Sequence, residues 1–125
     1  MKYIAIDVDG TIVRHEYPQM GVDVPGAEYT IKDLVKAGNK IIIFTMRSGK
    51  ELEDAVNWYI ERGIPLYGVN VNPTQHTWTS SPKAYANCFI DDAALGCPLI
   101  YEEGERPYVD WAKVRILLIE QGYLE

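Results

Sequence analysis

The feature that most constrains the fold is an apolar run that stops on two aspartates. Lys2-Tyr3-Ile4-Ala5-Ile6 has no helical stripe and reads as a strand covered on both faces, as in a parallel sheet. It gives way at once to Asp7-Val8-Asp9-Gly10-Thr11. Carboxylates buried without partners are so costly that they neutralise, pair or bind a cation. The favoured reading is a strand that delivers Asp7 and Asp9 to a crevice at the carboxyl edge of the sheet, where open α/β sheets hold ligands. The plain alternative is a solvated turn, since Asp and Gly are ordinary turn residues.

The same change from apolar to polar recurs along the chain. Lys40-Ile41-Ile42-Ile43-Phe44 is a second buried strand and ends in Thr45-Met46-Arg47-Ser48-Gly49, while Cys88-Phe89-Ile90 ends in Asp91-Asp92. Helical patterns lie between. Pro25 suits the first turn of a helix that buries Ala27, Ile31, Leu34 and Val35 and stops at Gly38-Asn39. Ser48 suits the cap of a second helix, with Leu52, Ala55, Val56, Tyr59 and Ile60 on one face and Gly63 at its end. Pro65–Val71 is a weaker strand, Lys83–Ala86 reads as one helical turn, and Leu99–Tyr101 is a short fifth strand. Asp110 caps a last helix to Gln121, whose Trp111, Val114, Ile116, Leu117, Leu118 and Ile119 are apolar around most of its girth. This alternation predicts an α/β fold, a doubly wound, Rossmann-like parallel sheet with helices on both faces. Parallel strands would bring Asp7, Asp9, Thr45, Asp91 and Asp92 to one sheet edge.

At 125 residues the chain suits one domain over residues 1–125, with a core but no room for a second. Its net charge of −6 argues against broad binding to nucleic acid, leaving only a local basic patch for such a partner. No apolar run approaches membrane-spanning length, and the N-terminus lacks a signal peptide's basic head and apolar core. The expectation is a cytoplasmic protein without a membrane partner, in which Cys88 and Cys97 are reduced.

Asp7-Val8-Asp9-Gly10-Thr11, then Thr45, Lys83 and Asp91-Asp92 in that order, resemble the four motifs of haloacid-dehalogenase (HAD) superfamily phosphatases. The resemblance runs from Asp7 to Asp92. It implies that Asp7 attacks phosphorus to form an aspartyl-phosphate and that Asp9 serves as general acid and then base. It also implies Mg²⁺, a hard cation preferring oxygen ligands, held by Asp7, the Asp9 carbonyl and Asp91, with Asp92 direct or through water. Thr45 would donate to phosphoryl oxygens and Lys83 would balance charge as a point cation. Lys83 stands only eight positions before Asp91, closer than is usual in the family, so Lys50 and Lys40 are substitutes, without matching context.

Arg47, two positions past Thr45, resembles the loop of polynucleotide 3′-phosphatases and some nucleotidases of that superfamily, where an arginine holds substrate; an exposed surface arginine is the competing reading. His15 and His76 lack metal-ligand spacing and read as loop residues, and Trp78 suits either packing on the core or stacking on a substrate base. Neither Ile12–Asp23 nor Asn72–Pro82 is long enough for a cap domain, so the site should be capless. An open site suits macromolecular substrates or closure by a second copy, and the apolar last helix fits such a homo-oligomer as well as it fits core burial.

Two function classes follow. One is a Mg²⁺-dependent phosphomonoesterase acting on a nucleotide, sugar phosphate or nucleic-acid end. The other is a non-catalytic phosphoryl- or Mg²⁺-binding module, as in a signalling receiver. Receivers place the adjacent acidic pair after their first strand, whereas here the pair comes last, which favours the phosphatase.

Overall fold

The architecture follows from where the apolar runs fall. A computed structural model describes residues 1–125, and its first sheet is built from β1 (Tyr3–Ile6), β2 (Lys40–Ile43), β3 (Gly68–Val69) and β4 (Cys88–Ile90). The order is β3-β2-β1-β4 and every neighbouring pair is parallel, with Ile4 opposite Ile41 and Cys88. Helix α1 spans Ala27–Lys36, α2 spans Gly49–Glu61 and α3 spans Trp111–Glu120. The chain moves outward from β1 through β2 to β3, then returns to the other side of β1 for β4. That reversal leaves a crevice beyond the carboxyl ends of β1 and β4, the usual ligand position in such sheets.

One apolar cluster joins Ile4, Ile6, Ile41 and Ile43 to Ile31 and Leu34 of α1, Ala55, Trp58 and Tyr59 of α2, and Trp111, Val114 and Leu118 of α3. Strand residues of the opposite parity, Ala5 and Ile42, are buried but lie outside that cluster. The three helices therefore share one face, and ion pairs tie them side by side: Arg62 to Glu28, and Arg115 to Asp33. The expected helix on the second face is missing. Between β3 and β4 only Gln75–Thr77 forms a single 3₁₀ turn, and Lys83–Ala86 is irregular instead of helical. Two prolines bracket this segment, and the buried amide of Gln75 holds it by donating to the Ser81 and Lys83 carbonyls and accepting from the Tyr85 N–H. Tyr85 packs edge-on to Tyr3, and Trp78 edge-on to Tyr85.

Smaller departures have local causes. Helix α1 begins at Ala27, after Gly26 in the left-handed region, two residues past the expected Pro25. Ser48 occupies the position before α2 without a side-chain cap bond, whereas Asp110 does cap α3 by accepting from the Lys113 N–H. In α2 the buried stripe turns toward Trp58, whose indole donates to Asp23, and leaves Ile60 exposed. Leu99–Ile100, named β5, pairs antiparallel with an unforeseen β6, Tyr108–Val109, in a hairpin separate from the main sheet. In α3, burial accounts for Trp111, Val114 and Leu118 but leaves Ile116, Leu117 and Ile119 exposed. No helix is long and apolar enough to cross a membrane.

The C-terminal elements buttress the Asp7–Thr11 turn. The Val109 N–H donates to the Gly10 carbonyl and the buried Trp111 indole donates to the Thr11 carbonyl at 2.7 Å. Ile12–Asp23 folds as a small hairpin against the same turn, with Val13 bridged to Asp9 and to Asp23.

Candidate active site

Three parallel strands deliver the polar residues to one edge. Asp7 follows β1, Thr45 lies beyond β2 and Asp91-Asp92 follow β4. Asp7, Asp91 and Asp92 offer ligand oxygens that all lie within 4.8 Å of one another, each side chain partly buried. Thr11 knits them together, since its hydroxyl donates to Asp7 Oδ2 and accepts from the Asp92 N–H, both at 3.2 Å. The Ala93 N–H donates to Asp91 Oδ1.

Crowding acid groups in a partly desolvated crevice raises the cost of ionising them. Burial, then the hydrogen bond with Asp92 and the charge of Asp91, push Asp7 up to about 8. Burial also pushes Asp91 up, against the Ala93 N–H and reinforced by Asp92. Beneath them the phenol of Tyr59 is fully buried without a hydrogen-bond partner; burial raises it, and the Asp7 carboxylate adds to the rise. A cluster of carboxyl oxygens that resist ionising together offers the donor set that a hard divalent cation takes. The Asp9 carbonyl oxygen accepts no hydrogen bond and is free to join it.

Asp9 itself turns to a different partner. Its carboxylate is gripped in a fork by Arg47, Nε donating to Oδ2 at 2.8 Å and Nη2 to Oδ1 at 2.7 Å. The remaining donors of Arg47 go to the carbonyls of Pro18, Gln19 and Glu51. A guanidinium has five N–H groups, and here all are used. The side chain is 1% exposed. Arg47 is thus not the exposed surface charge of the competing reading, and its donors here are spent on Asp9 and on backbone carbonyls. It locks Asp9, the Ile12–Asp23 hairpin and the start of α2 together.

Thr45 is at the strand end, where its Oγ1 accepts from the Arg47 N–H, which leaves its own proton free to donate. Its backbone N–H is held at 2.7 Å by the side chain of Asn70, a residue in the left-handed region at φ 60°. Asparagine tolerates that conformation better than most residues, so an asparagine within the weak Pro65–Val71 strand is the signal that could have found this contact.

Lys83 is not brought to the cluster. Its side chain is exposed and makes no hydrogen bond or ion pair, because the missing helix removes the element that would aim it. Lys50 pairs with Asp54, and Lys40 starts β2 at the opposite sheet edge. His76 bonds the Pro73 carbonyl on the surface, and Trp78 is exposed with its ring edge-on to Tyr85. Sequence reasoning missed Thr11, Asn70 and His15, whose Nε2 lies 2.9 Å from Asp92 Oδ2.

No protein-family model matches the chain, and no curated protein does. Among solved structures the chain is similar to that of a conserved protein from Bacteroides thetaiotaomicron, with 34% identity over 96% of this chain and 91% of the other and a TM-score of 0.77. By that identity, across nearly all of both chains, the chain belongs to the same family as that conserved protein.

Proposed function

We propose that the chain is a phosphomonoesterase with a core of the haloacid-dehalogenase type and no cap domain, dependent on Mg²⁺. The observation that carries this reading is the convergence of Asp7, Asp91 and Asp92 at the carboxyl edge of the sheet. Asp7, Asp91, Asp92 and the Asp9 carbonyl would hold the cation. When bound, it would neutralise the phosphoryl oxygens and the carboxylates around them. With no lysine joined to the cluster, that neutralisation falls on the cation.

Asp7 then attacks phosphorus as the leaving oxygen departs, giving an aspartyl-phosphate that water hydrolyses. Thr45 has its hydroxyl proton available for a phosphoryl oxygen. Asp9 carries two lone pairs on each oxygen, and Arg47 takes one of each. One of the others carries the proton that Asp9 delivers to the leaving oxygen, and the carboxylate left behind takes a proton back from the attacking water.

The test is turnover of a panel of phosphate monoesters, aryl phosphates included, by the purified protein with Mg²⁺ and with chelator. Release of phosphate that chelation abolishes is the expected result. No turnover on any ester, with saturable Mg²⁺ binding retained, would replace the enzyme with a binding module.

A further inference from the structure

His15 lies outside every motif of the sequence, yet it reaches the acidic cluster. Its Nε2 is 2.9 Å from Asp92 Oδ2, and the two side chains are only 13% and 17% exposed. The contact runs through space that Gly10 leaves empty. A Cβ at that position would stand 2.2 Å from His15 Nε2 and 2.3 Å from Asp92 Oδ2. The ring is delivered by a fixed backbone: the Gly10 N–H donates to the Val13 carbonyl and the Arg14 N–H to the Val22 carbonyl. The neighbouring Arg14 is anchored in turn on Tyr108 and Glu102. Asp92 is therefore held at two points, its N–H by Thr11 and its Oδ2 by His15.

We propose that His15 is a positioning residue for Asp92, pinning Oδ2 so that Oδ1 is the oxygen offered to a divalent cation. The inference rests on reading the three carboxylates as a cation site. A carboxylate that ligates a cation has no proton to give, so in that state Nε2–H donates to Oδ2. The physical reason for such a device is that Mg²⁺ demands near-octahedral geometry and few protein ligands. A carboxylate free to rotate loses that freedom on binding, at an entropic cost. One already fixed by an outer partner does not, and loss of such partners weakens metal binding about 10–100-fold.

The experiment is calorimetric titration of the full chain with Mg²⁺ alone, for wild type, His15→Phe and His15→Gln. His15→Phe keeps a ring of similar size without the donor and should bind about 10–100-fold more weakly. His15→Gln restores an N–H and should recover most of the loss, which a purely packing role would not produce. A second readout needs no variant. The chain has two histidines, so Mg²⁺ titration followed by NMR should shift the His15 ring signals in step with saturation and leave those of His76 in place. Wild-type affinity in both variants, or a silent His15 ring during saturation, overturns the proposal. If wild type itself binds no Mg²⁺, the cation-site reading fails and this inference with it. Wild-type binding with unaffected variants removes His15 alone.

Discussion

Replacing Arg47 by alanine should cost this protein a large share of its stability before it costs any binding. The guanidinium donates to both oxygens of Asp9 and to three backbone carbonyls, and the side chain is 1% exposed. Truncation leaves a carboxylate without its cation and the Pro18 and Gln19 carbonyls without a donor, while the Glu51 carbonyl lies within α2. Breaking a buried ion pair typically costs about 3–5 kcal/mol. Asp9 is 20% exposed, so water can rehydrate one side of it, and the lower end, about 3 kcal/mol, is the expected loss. A domain of this size has about 5–15 kcal/mol in total, so the variant should melt roughly 10 °C lower. Arg47→Lys restores a charge but not the fork and should fall between. Urea unfolding followed through the buried Trp58 and Trp111 measures the difference. The Asp9→Ala and double variants then give the coupling between the two side chains. A loss under about 1 kcal/mol, with a coupling near zero, would refute the structural role and return Arg47 to the substrate.

Three further outcomes follow from the site. Asp7→Asn should abolish phosphate release while leaving circular dichroism unchanged; retained turnover removes Asp7 as nucleophile. Stability of the cation-free protein should fall as pH rises from about 4 to about 8. In that window folded Asp7, pushed up to about 8, binds a proton that the unfolded chain has lost. Melting temperatures in chelator at pH 5 and pH 8 check the sign, with added Mg²⁺ expected to help most at pH 8, and a flat or rising profile contradicting it. Lys83→Ala should change kcat/KM by less than about threefold, since a surface lysine without a partner contributes well under 1 kcal/mol; a hundredfold loss would mean that Lys83 reaches the cluster with substrate bound.

Much of the scaffold was legible because its determinants are local. An apolar run with no helical stripe must be covered on both faces, and β1, β2 and β4 stand where such runs occur. Helices α1 and α2 likewise follow a periodicity confined to each segment, and α3 is marked by its local cap, Asp110. The gathering of Asp7, Thr45, Asp91 and Asp92 at one edge needed only the inference that the strands are parallel, since every parallel strand points its carboxyl end the same way.

Tertiary structure decided which side chains meet. Arg47 reaches Asp9 across 38 positions, His15 reaches Asp92 across 77, and Trp111 steadies Thr11 across 100. No periodicity encodes these distances, because they depend on strand order and on the path of the Ile12–Asp23 hairpin. The second sheet face was equally hidden. A polar stretch with two prolines looks the same whether it precedes a helix or replaces one, and only the buried Gln75 amide, satisfied by backbone ten residues away, selects the irregular path. Apolar burial is a property of single residues in a pattern and can be read along the chain. The pairing of a charged group is a property of two places in space, and in this protein it is the folded sheet that brings those places together.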